Sequence, residues 1–148
     1  MMAERDFKPS ARRKARRFAL QGLYEWQLSG NPVHEIEARC HAENDLRKTD
    51  VLYLGELLQG VVREQAEIDR QLQSFIDRKV SELTPIEHVI LALAAYELNH
   101  RRDIPYQVII NEAVELAKDF GASESHRYVN GVLDAWARQV RADERAAR

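Results

Sequence analysis

The sequence predicts an all-α fold, and three observations carry that prediction. The stretch Thr84–His100, TPIEHVILALAAYELNH, opens with helix-start chemistry and is then apolar around almost its whole circumference. Elsewhere the apolar residues recur at steps of three and four, the spacing of one helical face. No stretch shows the strict apolar–polar alternation of a half-buried strand.

The elements follow in order. Residues 1–9 read as a flexible N-terminus, with Ser10 as N-cap of a first helix that runs to about Leu28. Its buried stripe is Ala11, Ala15, Phe18, Ala19, Gly22, Leu23 and Trp26, and Ser29-Gly30-Asn31-Pro32 stops it. A weaker helix spans about Val33 to Ala42, with Ile36 and Cys40 as its apolar contacts. Asp50 caps a long helix faced by Val51, Leu54, Leu57, Leu58, Val61 and Val62, with helical character continuing through Ile68, Leu72, Phe75 and Ile76. The apolar phase shifts within Arg63–Asp69, which predicts a kink there.

The central helix comes next. Thr84 is its N-cap, Pro85 suits the first helical position, and Glu87 stands where a capping-box carboxylate reaches back. A helix apolar on all sides is buried, and this one is too short and too interrupted by charge to cross a bilayer. It carries stability, so functional side chains belong on the outer helices. Glu97 falls inside its apolar stripe and needs a partner. Pro105 opens a further helix striped by Ile109, Ala113, Leu116, Ala117 and Phe120 and closed by Gly121. Ser123 caps the last one, where Val129, Val132, Leu133, Trp136 and Val140 face inward. From about Arg141 the chain reads as a loose charged tail.

With 148 residues the chain can form one domain with its own core. It has neither a low-complexity tract nor a signal-peptide pattern. Its single cysteine, Cys40, fits a reducing, cytoplasmic setting. The net charge of −2 hides an asymmetry. Arg5, Lys8, Arg12, Arg13, Lys14, Arg16 and Arg17 crowd the first helix and its approach against only Glu4 and Asp6, and the remainder is acidic. A basic arm on an acidic body fits a polyanion at one end and leaves room for a basic partner elsewhere.

Catalytic chemistry finds no foothold. His34, His41, His88, His100 and His126 show no metal-ligand spacing, and Cys40-His41 lacks a second pair. There is no Gly-rich phosphate loop. Adjacent Ser125 and His126 do not make a nucleophile and base, which geometry defines. We therefore expect no enzyme, no cofactor and no metal.

The first helix offers the stronger signal. Arg12, Arg13, Lys14, Arg16 and Arg17 are packed near a helix N-terminus, where cations oppose the helix dipole. A solvated charged face competes with a nucleic-acid surface as the explanation. A run this dense, placed where it costs stability, favours the latter. Arg13, Arg17, Leu20 and Tyr24 share a face by spacing, so an aromatic is interleaved with the cations, as suits single-stranded RNA. On the last helix Glu124, Arg127 and Tyr128 share an outward face, and Tyr128 reads equally as a stacking platform or as the rim of the core. Glu82 and Glu87, beside the start of the central helix, read as capping groups or as an acidic patch for a basic protein.

Three segments then stand out together: ARRKARRFALQGLYEWQLS, LTPIEHVILALAAYEL and DIPYQVIINEAVELAKDFGASESHRYVNGVLD. In this order and spacing, from about Ser10 to Ala137, the chain resembles the NusB family of bacterial transcription antitermination factors. The resemblance implies about seven helices around a buried central one, in a domain over residues 10–140 followed by a charged tail over 141–148. It implies binding to the boxA element of ribosomal RNA leaders jointly with NusE, also a small-subunit ribosomal protein. The complex would join the elongating RNA polymerase with other Nus factors and suppress premature termination. The implied RNA contacts are Arg12, Arg13, Lys14, Arg16 and Arg17 on the first helix and Glu124, Arg127 and Tyr128 on the last. Lys14 stands where Arg is common and Tyr128 where Phe is common. The implied NusE-facing positions are Glu82 and Glu87. The alternative is the RNA-binding helical domain of a ribosomal RNA cytosine methyltransferase, which would also need a cofactor-binding domain with a Gly-rich loop after a strand. Neither reading involves a membrane.

Overall fold

A computed structural model describes residues 9–146. Among these residues are seven α-helices, one short 3-10 turn and no strand, as the periodicity requires. They are α1 (Pro9–Ser29), α2 (Val33–Glu43), α3 (Val51–Leu72), the 3-10 turn (Val80–Glu82), α4 (Pro85–His100), α5 (Tyr106–Phe120), α6 (Ser125–Val140) and α7 (Ala142–Ala146). No helix among them is long and apolar enough to cross a membrane. The expected domain over 10–140 groups internally into two compact units, residues 1–63 and 64–148, with the boundary inside α3. The expected flexible segment 1–9 lies outside the described residues except for Pro9, which is already helical. Ser10 is thus inside α1 and is not its cap.

In the first unit, Ala15, Ala19, Leu20 and Leu23 of α1 are buried with Ile36 of α2 and with Leu54, Leu57, Leu58 and Val61 of α3. The three helices approach closely at Gly22. A Cβ there would lie 2.9 Å from Leu58 Cδ2 and 3.2 Å from Ile36 Cγ2. Gly30 ends α1 in the left-handed region, at φ 74°, and its N–H donates to the Trp26 carbonyl at 2.9 Å. Asp50 caps α3 as expected, accepting from the Tyr53 N–H at 3.1 Å. Its own N–H donates to the Ala11 carbonyl, which fastens the α2–α3 loop to α1.

α3 runs unbroken through Arg63–Asp69, where a kink was expected. It ends at Leu72 in tight turns, with the Phe75 N–H donating to the Leu72 carbonyl at 2.9 Å, so the expected continuation through Phe75 and Ile76 is not helical. The buried stripe passes from Val61 to Ile68, seven residues on and therefore on the same face. The polar residues between them find partners, so the helix has no reason to break. Gln65 Nε2 donates to Asp69 Oδ1 at 2.8 Å, and His88 Nε2 lies 2.6 Å from the same oxygen.

In the second unit α4 is the core helix. Every residue from Val89 to Leu98 is buried, Glu97 included. No buried side-chain nitrogen or oxygen among the described residues lacks a hydrogen-bond partner, so the Glu97 carboxylate is satisfied. α5 and α6 pack on α4 and on each other. Trp136 of α6 stacks on Phe75 at 5.1 Å.

The expected loose tail is instead built into this unit. Arg141 is fully buried. It donates to the carbonyls of Leu98 (3.0 Å), Ile104 (2.9 Å) and Arg101 (2.9 Å), and to Glu144 Oε1 at 2.6 Å. The last carbonyls of a helix have no partner within it, and one guanidinium supplies several donors at the end of α4. Glu144 in turn accepts from the Tyr106 N–H at the start of α5. Charge alone marked this segment as tail, but its charges are partners of helix ends.

Candidate nucleic-acid interface

The basic run of α1 divides by burial. Arg13 and Lys14 are exposed, and Arg17 is half-buried. Arg16 is only 5% exposed, with its guanidinium 5.7 Å from the centre of the buried Tyr53 ring. Arg12 lies over the same ring at 4.5 Å and donates to Asp50 Oδ2 at 3.3 Å. Helical geometry makes this split unavoidable, because six consecutive residues cover more than one full turn. Arg12 and Arg16, four apart, turn toward α3, and Arg13 and Lys14 turn outward.

Leu20 was placed by spacing on the face of Arg13, Arg17 and Tyr24, but it is buried. Gln21 takes the outward position. Tyr24 remains 36% exposed.

Beside this face is a hollow of about 450 Å³ between α1 and the α2–α3 loop. Lys14, Arg17 and Phe18 line it from α1, and Asp45, Arg47 and Lys48 line it from the loop. Arg47 is spent on Asp45, with Nη2 2.7 Å from Oδ2. That guanidinium, with Lys48 and Lys14 adding to it, holds the Asp45 carboxyl below the usual carboxylate range. Sequence reasoning did not bring Phe18, Arg47 and Lys48 together as neighbours of the basic face. Phe18 fitted the buried stripe, and a two-cation loop carries no signal without its neighbour.

In the second unit, Tyr128 is half-buried and meets two residues of the α3–α4 connection. The Arg78 guanidinium lies 4.4 Å from its ring centre, and its hydroxyl donates to Asp77 Oδ1 at 3.4 Å. Burial pushes the Tyr128 phenol above its ordinary range. Arg78 Nε, 2.8 Å from Asp77 Oδ1, holds the Asp77 carboxyl low. No sequence signal pointed to Arg78, which is fifty residues away from Tyr128. Glu124 and Arg127 are both exposed and paired at 3.2 Å.

Ser123 does not cap α6. Glu124 occupies the N-cap position, and its side chain makes no capping bond. Glu87 does not close a capping box on α4 either. Thr84 Oγ1 accepts the Glu87 N–H at 3.2 Å as expected, but the Glu87 carboxylate accepts from the Ser125 hydroxyl at 2.8 Å and ties α4 to α6. Glu82 is exposed and accepts from the Lys79 N–H at 2.8 Å, closing the 3-10 turn. Among the described residues no three His, Cys, Asp or Glu side chains gather as a metal site.

A helical protein with Arg13 and Lys14 exposed on one helix and Arg78 set against Tyr128 of another has the surface chemistry of the nucleic-acid-binding class. Comparison with known proteins makes the class specific. The model of the NusB family matches residues 13–138. A transcription antitermination protein NusB of Alcanivorax borkumensis is 54% identical over 140 residues, covering 95% of this chain and 93% of that protein. Its counterpart from Idiomarina loihiensis is 58% identical over 127 residues, covering 86% and 91%. A solved structure described as antitermination factors NusB and NusE in complex with dsRNA superposes with a TM-score of 0.78 at 26% identity, covering 86% of this chain and 96% of that one. The chain belongs to the NusB family.

Proposed function

We propose that this chain is an RNA-binding transcription antitermination factor that acts in the cytoplasm. It binds the boxA element of ribosomal RNA leader transcripts together with NusE, and with other Nus factors helps the elongating RNA polymerase avoid premature termination. It performs no catalysis and uses no cofactor. The observation that carries the reading is the outward face of α1, where Arg13 and Lys14 stand exposed in a chain alike along its length to proteins named for antitermination. That whole-length likeness favours an antitermination factor over the RNA-binding domain of a methyltransferase.

Within this reading Arg13, Lys14 and Arg17 meet phosphate, and forked arginine donors suit it. Tyr24 offers a ring to an unstacked base. Arg12 and Arg16 act chiefly by holding α1 against Tyr53. On α6, Arg127 and Tyr128 take part in RNA contact, with Glu124 tempering the charge. Glu82, the more exposed of the acidic pair, is assigned to NusE, and Glu87 supports it through its tie to Ser125.

Fluorescence anisotropy of a labelled boxA-type RNA, with and without NusE and across a salt series, tests the proposal. Tighter binding with NusE and preference over a scrambled RNA support it. Binding indifferent to both sequence and partner would overturn it.

A further inference from the structure

The hollow beside α1 adds to the α1 cations Lys14 and Arg17 two groups that the α1 contacts do not use, Phe18 and Lys48. Its volume of about 450 Å³ lies within the range of ~300–1,000 Å³ typical of small-molecule sites. Four cations and one carboxylate line it, and that carboxylate is already paired with Arg47. Lys14 and Lys48 are exposed and make no ion pair among the described residues. Phe18 adds an aromatic wall and is only half-buried, although it sits on the helix face that packs inward.

The rim is fixed before any ligand arrives. The Thr49 N–H donates to the Leu46 carbonyl at 3.0 Å, and the Arg47 N–H donates to Asp45 Oδ1 at 3.1 Å. The Asp50 N–H then secures the loop to Ala11. A preorganised rim loses little entropy on binding.

We propose that one nucleotide of the bound RNA seats in this hollow, its phosphate held by Lys14 and Lys48 and its base stacked on Phe18. The inference rests on the RNA reading above and extends the contact surface from α1 to the Arg47–Lys48 loop. The aromatic wall decides for a nucleotide over an acidic peptide. A peptide carboxylate would use the cations alone, whereas unstacked bases find an exposed ring favourable.

The test uses the full chain with NusE and a labelled boxA-type RNA. Lys48→Gln should lower the steepness of log affinity against log salt by about 0.7, the share of one single-strand phosphate. Phe18→Leu, which keeps most of the packing volume, should weaken binding roughly tenfold while leaving that slope unchanged, as the loss of one stacked base requires. Melting curves confirm that the variants fold, and Lys48→Gln decides the question if Phe18→Leu does not. Wild-type affinity and slope in Lys48→Gln, with Arg13→Ala weakened, would remove the hollow from the RNA path and leave the antitermination reading standing. No RNA binding by the wild type would overturn both. Capture of a polyglutamate peptide that Lys48→Gln abolishes, with RNA binding unaltered, would assign the hollow to an acidic protein and overturn the proposal.

Discussion

Arg12 Nε donates to Asp50 Oδ2 at 3.3 Å, and Asp50 is 1% exposed. The pair joins α1 to the first turn of α3, and Asp50 also caps that turn through the Tyr53 N–H. Removing Arg12 leaves a buried carboxylate without its cation. Arg12→Ala should therefore cost about 1.5–3 kcal/mol, the range for a hydrogen bond to a charged group. Arg13→Ala removes an exposed side chain and should stay within ~0.5 kcal/mol. RNA affinity should respond in the opposite order, with Arg13→Ala flattening the salt dependence. Urea denaturation and RNA titration on the same two variants separate the roles. A stability loss in Arg13→Ala equal to that in Arg12→Ala would contradict the division.

Glu124 sits 3.2 Å from Arg127 at the start of α6, and Asp77 faces Arg78 beside Tyr128. Glu124 neutralises Arg127, which the RNA reading uses, and Asp77 neutralises Arg78, which lies against the Tyr128 ring. Glu124→Gln and Asp77→Asn should each tighten RNA binding and steepen its salt dependence, while melting temperatures at pH 7 barely move. Weaker binding in both would place this end of α6 away from phosphate.

Arg141 holds the carbonyl end of α4 from a fully buried position. Arg141→Met keeps the stem and discards the donors, stranding the Leu98, Ile104 and Arg101 carbonyls and Glu144. Breaking a buried charged network in this way costs about 3–5 kcal/mol. Thermal unfolding of the variant checks this, and an unchanged midpoint would mean that water replaces the guanidinium freely.

Gly131 lies exposed on α6, and a Cβ built there meets nothing within 4 Å. A helical glycine carries an entropic cost of roughly 0.5–1 kcal/mol relative to alanine. Gly131→Ala should raise stability by that amount, read as a higher urea midpoint at unchanged slope. A destabilised variant would show that the helix is strained at this position.

Glu25 of α1 is hydrogen-bonded by Arg39 of α2 and by Asn31, and these hold its carboxyl below the usual range, Arg39 first. A carboxyl lowered by folding adds stability above its unfolded pKa, about 4.3. That stability is lost as pH falls through the folded value. Glu25→Gln should thus flatten the acid limb of stability below about pH 4.3. The change is small because the pair is exposed to solvent. Identical acid limbs in the two proteins would exclude Glu25 as a contributor.

The sequence by itself determined the existence of α1 to α6, the burial of α4 and the two aromatic–basic segments on α1 and α6. Helical periodicity is a local property, so neighbouring residues suffice to read it. Caps were only partly legible: Thr84 and Asp50 cap as read, whereas Ser10 and Ser123 do not, because where a helix starts depends also on the fold around it. Where a residue's partner is distant in the chain, the tertiary structure decided. It turned Arg12 and Arg16 of the basic run toward Tyr53, left Arg13 and Lys14 outside, brought Arg78 onto Tyr128 and took Glu87 from its own helix to Ser125. It also converted an apparent tail into the cap of α4. Charge in a sequence reports only that a side chain needs a partner or water. Which of the two it finds depends on what the fold places within about 3 Å of it.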